Sequence, residues 1–190
     1  FRFFQRVNIY EDGSMYTDSE GAERPSSTRE GRVTMTIREE NAMEEVLGPR
    51  NTSAQQWDSW LAVFGPRGDD GNPAPLYDPE TGALDRGIAE QFRDHDISHN
   101  LRTDPETYNP LFENRVRLIV GEEDTYDLDL AVSSLLDTLG ELGADVNTDE
   151  KAGYIKVIPG ADHGSIRGTE ASRAFPSEML EFFRSNGHAE

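Results

Sequence analysis

The chain contains no cysteine among its 190 residues. This absence excludes disulfide bonds, thiolate nucleophiles and cysteine-ligated metal sites. Lysine is also scarce, because Lys151 and Lys156 are the only two lysines and arginine supplies the other positive charges. The formal net charge is −19, and a field of that sign repels nucleic-acid phosphates and anionic lipid headgroups. We therefore expect neither a nucleic-acid nor a membrane partner.

Long apolar segments are missing as well. Hydrophobic residues make up 35% of the chain, and no run approaches the ~20 apolar residues that cross a bilayer. Residues 1–6 lack the apolar stretch and the small-residue cleavage site of a signal peptide. The sequence predicts a soluble protein and leaves its compartment open, with the periplasm and the extracellular space as candidates. Because the chain starts at Phe1 and not at methionine, we expect a processed or truncated polypeptide.

The first part of the chain, residues 1–112, shows little regular patterning. Polar stretches with Gly, Ser, Pro and Asp dominate, above all at 11–32. One helix is predicted over 33–47, where apolar residues are interspersed with glutamates and Gly48 and a proline end the pattern. We predict that residues 1–112 form a loop-rich insertion or lid-like region with some helix.

Both tryptophans of the chain lie close together in this first part. Trp57 and Trp60 have a spacing that would place two aromatic rings along one side of a pocket. We therefore take Trp57 and Trp60 as candidate substrate-binding residues. The competing interpretation is ordinary packing in a hydrophobic core.

Metal and cofactor sites have weak support. His95 and His99 lie four residues apart, as in zinc-binding helices, but the glutamate of an HExxH motif does not follow His95. The acidic segments 69–73 and 78–82 have the residues of tight turns and lack the ligand spacing of an EF-hand. We predict no metal site and no cofactor.

The pattern becomes regular over 113–190. Residues 115–120 form a β-branched run of strand length, apolar residues recur at helical spacing over 128–142, and 154–159 is a second strand. An apolar-faced helix is predicted over 174–183. The order strand, helix, strand, helix predicts a parallel crossover, which places the loops after both strands at one sheet edge.

Each of these two loops carries one candidate catalytic residue. Asp124 follows the first strand and His163 follows the second. A serine hydrolase needs an imidazole to take the hydroxyl proton and a carboxylate to hold that imidazole in the right tautomer. The chain order, acid and then histidine, is the one that α/β-hydrolases use after an earlier serine. Rivals of Asp124 in the same loop are Glu123, Asp127 and Asp129.

Two short sequences carry a resemblance to a known superfamily. Val-Gly-Glu-Glu-Asp at 120–124 and Ile-Pro-Gly-Ala-Asp-His-Gly at 158–164 resemble the C-terminal end of an esterase of the α/β-hydrolase superfamily. Residues 56–85 resemble an insertion that precedes this end in a bacterial subgroup. The resemblance implies an α/β fold, namely the C-terminal part of a three-layer sandwich of parallel strands with flanking helices, preceded by a loop-rich insertion.

The chain departs from this superfamily in one respect. The nucleophile motif Gly-x-Ser-x-Gly is absent, and Ser165 in Gly-Ser-Ile-Arg-Gly lies one position too early. Either the serine belongs to a segment upstream of Phe1, or this is a decayed homologue that binds without cleaving.

The leading functional prediction is the C-terminal portion of a serine carboxylic-ester hydrolase with an acyl-enzyme mechanism. It would act on a small-molecule ester with the missing N-terminal part as its partner, and the chain alone would be inactive. The alternative is a non-catalytic α/β-hydrolase-like binding module that uses the region of Trp57 and Trp60. An acidic secreted protein with calcium-binding turns is a third, weaker alternative.

Overall fold

The computed structural model describes residues 2–3, 7–148 and 151–185. Within these residues the strands are β1 (Arg2–Phe3), β2 (Val7–Asn8), β3 (Pro25–Arg29), β4 (Arg32–Thr36), β5 (Arg117–Gly121) and β6 (Tyr154–Ile158). The α-helices are α1 (Ile37–Leu47), α2 (Gln56–Phe64), α3 (Arg86–Glu90), α4 (Ile97–Thr103), α5 (Pro105–Asn114), α6 (Leu128–Glu141) and α7 (Glu170–Ser185). None of the helices in these ranges is long and apolar enough to cross a membrane.

The described strands pair in twos. β1 pairs with β2 and β3 with β4, both antiparallel, whereas β5 and β6 form a parallel pair. The chain is therefore a mixed α/β protein with small sheets, one of which is parallel. The predicted order of strand, helix, strand and helix in the last part of the chain is confirmed by β5, α6, β6 and α7.

The predicted helix over 33–47 starts too early, because β4 extends to Thr36 and α1 begins at Ile37. The start of α1 is fixed by a capping box. The Thr36 hydroxyl accepts the backbone N–H of Glu39 at 3.2 Å, and the Glu39 carboxylate accepts the backbone N–H of Thr36 at 2.8 Å. These reciprocal bonds satisfy N–H groups that the first helical turn leaves unpaired. The helix does end where Gly48 was predicted to cap it.

Helices α4 and α5 were not predicted from the sequence. Each begins with an aspartate cap, because Asp96 accepts the backbone N–H of His99 and Asp104 accepts that of Thr107. Pro105 occupies the first turn of α5, where a missing N–H costs nothing. Both capping aspartates are visible in the sequence, directly before the residues that form each helix.

The buried apolar residues form two clusters. The first cluster lies within the first part of the chain and contains Val7, Ile9, Met15, Tyr16, Ile37, Trp57, Leu61, Leu76, Tyr77, Ala89 and Phe92. The second cluster joins α4, α5, α6 and β6 through Leu101, Phe112, Leu135, Leu139 and Ile155. The parallel pair β5–β6 rests on this second cluster.

A helix lies on either face of the parallel pair. Successive side chains of a strand point to opposite faces. Ile155 of β6 packs into the second cluster with α6. On the other face, Glu178 of α7 forms an ion pair with Arg117 at 3.0 Å and accepts the Tyr154 hydroxyl at 3.0 Å. The structure thus has a helix, a two-stranded parallel sheet and a second helix in succession.

Candidate active site

The two loops that follow β5 and β6 are held together by backbone hydrogen bonds. The parallel register runs from Arg117 opposite Tyr154 to Gly121 opposite Ile158, so both strands end side by side. Beyond the strands, the N–H of Glu122 donates to the Ile158 carbonyl at 3.0 Å, and the N–H of Glu123 donates to the Ala161 carbonyl at 2.9 Å. The acidic loop and the histidine loop therefore form one connected unit.

Gly121 makes this close approach possible. A Cβ atom at Gly121 would lie 2.2 Å from the carbonyl oxygen of Ala161, well inside van der Waals contact. Any side chain at this position would push the histidine loop away from the end of β5. Glycine is used where two backbone segments must approach closely.

Asp124 is a buried carboxylate whose two oxygens have different partners. The residue is 5% exposed. Its Oδ1 accepts the backbone N–H of Tyr126 at 2.9 Å and that of Leu128 at 3.3 Å. Its Oδ2 lies 3.0 Å from Nδ1 of His163. The backbone bonds fix the rotamer of Asp124 and leave Oδ2 directed at the imidazole.

His163 is more exposed than its partner, with a side chain 42% accessible against 3% for Asp124. The ring of Tyr126 meets the imidazole edge-on, with centroids 4.9 Å apart and planes at 88°. An ionised carboxylate can only accept hydrogen bonds, so this contact fits the tautomer of His163 that carries its proton on Nδ1. Nε2 has no hydrogen-bond partner among the described residues, and in this tautomer it can accept a proton.

Asp162 braces the histidine loop. Its Oδ1 accepts the backbone N–H of Gly164 at 2.9 Å and that of Ser165 at 2.7 Å, while the Ser165 hydroxyl accepts the N–H of Asp162 at 2.8 Å. The hydrogen bond from the Ser165 backbone, followed by that from its side chain, holds the pKa of Asp162 below its ordinary value. The Ser165 hydroxyl is thus engaged in the turn.

The rival acids of the loop line a cavity beside the pair. This cavity has a volume of about 560 Å³ and is bounded by Glu122, Glu123, Asp124, Asp127 and Asp129, and by Thr28, Glu30 and Gly31 of the β3–β4 hairpin. Desolvation raises the pKa of Asp129 above its ordinary value. Among the acids of the described residues, Asp124 is the one hydrogen-bonded to His163. The described residues hold no group of three His, Asp or Glu placed to bind a metal ion.

Trp57 belongs to the first hydrophobic cluster, and Trp60 is partly buried against it. Trp57 is fully buried, so its ring belongs to the core and does not line an open pocket. Trp60 packs against the same cluster and stacks on Phe92, with centroids 5.3 Å apart and planes at 8°. Trp57 is therefore explained by packing in the core. The structure offers no support for substrate binding by this residue.

Two residues of the site were not singled out as functional in the sequence. Tyr126 covers the edge of the imidazole, and Gly121 sets the distance between the loops. Gly121 had a readable signal, since a glycine that ends a buried strand before acidic residues indicates close backbone packing. Tyr126 had none, because its contact joins two loops that are far apart in the sequence.

A comparison of the chain with protein families, with curated protein sequences and with solved structures finds no match.

Proposed function

We propose that this chain is the C-terminal portion of a serine carboxylic-ester hydrolase with the three-layer sandwich of the α/β-hydrolase superfamily. One observation carries the proposal. A buried carboxylate, Asp124, and a half-exposed imidazole, His163, lie 3.0 Å apart at the carboxyl ends of adjacent parallel strands. Active sites of open α/β sheets lie at this end of the strands.

His163 acts as the general base in this proposal, and Asp124 is its positioning residue. Nε2 of His163 takes the proton of a serine hydroxyl while the serine oxygen attacks the carbonyl carbon of the ester. The imidazolium then gives that proton to the leaving alcohol, which leaves an acyl-enzyme. A water molecule, deprotonated by the same Nε2, then attacks the acyl carbon. The imidazolium returns this proton to the serine oxygen as the bond between that oxygen and the acyl carbon breaks, which releases the carboxylic acid and regenerates the serine.

The serine comes from a segment outside this chain in the proposal. Gly-x-Ser-x-Gly does not occur in the 190 residues, and the Ser165 hydroxyl is engaged with the backbone of Asp162. The chain by itself is therefore expected to be inactive toward esters. The polypeptide that also supplies the serine is expected to hydrolyse small-molecule esters.

The test is Asp124→Asn in the polypeptide that contains the serine, assayed with a short p-nitrophenyl ester. We expect kcat to fall by about 10⁴-fold with little change in KM, because loss of the carboxylate favours the wrong tautomer without touching the substrate. Glu123→Gln, which changes a neighbouring acid not bonded to His163, is the control and should keep kcat. Unchanged kcat in Asp124→Asn removes Asp124 from the mechanism.

A further inference from the structure

A cavity of about 450 Å³ lies in the first part of the chain, where it is lined by residues of α1, α2 and the segment 68–79. This volume falls in the range of about 300–1,000 Å³ that small-molecule sites occupy. None of its lining residues belongs to the acidic loop or to the histidine loop, so the proposed ester hydrolysis does not account for it. Much of its wall is apolar, with contributions from Leu61, Leu76, Pro73, Pro75 and Pro79.

Two buried polar side chains also line this cavity. Asn41 is 7% exposed and Tyr77 is 5% exposed. The Tyr77 hydroxyl donates to Oδ1 of Asn41 at 2.8 Å, and Nδ2 of Asn41 donates to the Tyr16 hydroxyl at 2.8 Å. The Tyr16 hydroxyl in turn donates to the Pro79 carbonyl at 2.8 Å. Because a carbonyl can only accept, the direction of every bond in this chain is fixed.

This direction leaves one hydrogen-bonding group unused on each of the two residues. An amide nitrogen carries two N–H groups, and a phenol oxygen accepts as well as donates. Within the ranges that the structure describes, the second N–H of Asn41 and the acceptor side of the Tyr77 oxygen have no further partner. Burial raises the pKa of Tyr77 well above its ordinary value, so its hydroxyl stays protonated at neutral pH. Asn41 and Tyr77 thus offer one donor and one acceptor, and neither is charged.

A hydroxyl group matches this pair. Its oxygen accepts the N–H of Asn41 while its hydrogen is donated to Oη of Tyr77. A carboxylate has no proton to donate, and an ammonium group cannot accept. A water molecule can make the same two hydrogen bonds, but it leaves the leucine and proline walls uncovered, and burial of apolar surface is what stabilises a ligand there.

The charged residues of the cavity disfavour an anionic ligand. Glu45, Asp69 and Asp70 line it together with a single arginine, Arg50. Arg50 is paired with Asp70 at 3.2 Å. The charge that this pair leaves over is negative and repels other anions.

The segment 50–51 at the cavity has an unusual backbone. Arg50 and Asn51 have φ angles of 61° and 59°, in the left-handed region that is unfavourable for residues with a Cβ atom. Contacts with the segment 70–73 hold this conformation, because Arg50 pairs with Asp70 and Nδ2 of Asn51 donates to the Pro73 carbonyl at 3.1 Å. Backbone strain of this kind is concentrated at functional sites, ligand-binding sites among them.

We propose that this cavity is a binding site for a small uncharged alcohol with an apolar body. The hydroxyl group of the ligand bonds to Nδ2 of Asn41 and to Oη of Tyr77. Its body packs against Leu61, Leu76 and the prolines. The proposal does not depend on ester hydrolysis, because no step of that reaction uses these residues.

The test is an NMR titration of the full chain with benzyl alcohol, followed in ¹H–¹⁵N spectra that include the side-chain amide of Asn41. We expect saturable binding with a Kd of about 1 mM. The largest shifts should occur at the Asn41 amide, with intermolecular nuclear Overhauser effects to the methyl groups of Leu61 and Leu76. Toluene, which has the same ring and no hydroxyl, should bind about tenfold more weakly. Benzoate, which carries a carboxylate instead, should not bind.

A blocked cavity gives an independent measurement. Because the chain has no cysteine, Asp69→Cys carries a single thiol that N-benzylmaleimide labels in the wall of the cavity. The matched control carries the same label at Glu106→Cys, an exposed position of α5 outside the cavity. We expect the label at position 69 to weaken the binding of benzyl alcohol about tenfold or more. The label at position 106 should leave binding unchanged, and circular dichroism verifies that both labelled proteins are folded.

Four results overturn the proposal. The first is the absence of saturable binding of benzyl alcohol, which would leave the cavity to water. The second is equal affinity for toluene and benzyl alcohol. The third is a set of shifts centred on Met179 and Phe183, which are exposed apolar residues of α7. The fourth is equal binding of benzyl alcohol by the two labelled proteins.

Discussion

Asp124 is held in place by the backbone of its own loop as well as by its partner. Two backbone N–H groups donate to Oδ1, and leaving a buried N–H unpaired costs about 1–3 kcal/mol. The carboxylate therefore keeps its position without a substrate or a nucleophile. The orientation of His163 that this contact sets can therefore be measured on the chain alone.

The first prediction concerns the tautomer of His163. We expect the neutral imidazole to carry its proton on Nδ1, because Oδ2 of Asp124 lies 3.0 Å from Nδ1 and can accept that proton. Hydrogen bonds to charged groups contribute about 1.5–3 kcal/mol, enough for a preference of about tenfold or more. The ¹⁵N chemical shifts of the two ring nitrogens report the tautomer directly. Asp124→Asn should remove the preference.

Glu123→Gln serves as the control, because Glu123 lies in the same loop and is not bonded to the imidazole. Its ¹⁵N shifts should match those of the unmodified protein. A dominant Nε2–H tautomer in the unmodified protein would contradict the hydrogen bond between His163 and Asp124, and with it the assignment of the general base.

At the scale of elements, the approach of the two loops depends on the end of β5. In Gly121→Ala the new Cβ would meet the Ala161 carbonyl at 2.2 Å, and backbone cannot give way as cheaply as a flexible side chain. We expect the free energy of unfolding to fall by about 1–3 kcal/mol, as for other overpacked sites. Chemical denaturation measures this loss, and the ¹⁵N shifts of His163 should change with it.

Gly140→Ala is the matched control. Gly140 lies in α6, and nothing is found within 4 Å of a Cβ built there. Alanine is favoured over glycine in a helix by about 0.5–1 kcal/mol, so this variant should be more stable than the unmodified protein. Equal effects of the two substitutions would show that the contact between Gly121 and Ala161 does not control the loops.

The last part of the chain could be predicted because its elements have strong periodic patterns. Residues 128–142 were predicted to be helical and α6 spans Leu128–Glu141; the second strand was placed at 154–159 and β6 spans Tyr154–Ile158. In the first part α1 was predicted but α2 to α5 were not, because these helices are short and α4 and α5 depend on the caps Asp96 and Asp104. Strand β4 ends at Thr36 and helix α1 begins at the next residue, so no break in the apolar pattern separates them. The capping box alone marks this boundary in the sequence.

The candidate site was predictable only in part. Parallel topology brings the loops after two adjacent strands together, so the proximity of Asp124 and His163 followed from their places in the sequence. The sequence did not decide which of the four acids of the loop pairs with His163. That choice depends on which carboxylate the loop buries and holds with its backbone N–H groups. The spacing of Trp57 and Trp60 was equally compatible with a pocket and with a core, since aromatic residues are apolar in both settings.

The whole molecule has a large excess of negative charge, with 37 acidic and 18 basic side chains. The described ion pairs involve mostly exposed side chains, and such pairs each contribute about 0–1 kcal/mol. Local pairing therefore does little to offset the repulsion among the unpaired acids. That repulsion opposes the compact state and acts over distances that salt controls.

We expect added salt to stabilise the protein. The Debye length falls from about 10 Å at 0.1 M to about 3 Å at 1 M ionic strength, so repulsion between separate surface acids nearly vanishes. Thermal unfolding followed by circular dichroism should show a Tm that rises by about 5 °C between 0.05 M and 1 M NaCl, the size expected for 1–2 kcal/mol in a chain of this length.

A charge-neutralised variant separates this screening from general salt effects on hydrophobic burial. It carries Glu20→Gln, Asp69→Asn, Asp137→Asn and Glu181→Gln, four exposed acids whose side chains make no hydrogen bond within the described part of the chain. Its Tm at low salt should be higher than that of the unmodified protein, and its gain from 1 M NaCl should be smaller. If both proteins gain equally, salt acts through the apolar surface, and the net charge of −19 is not what limits stability.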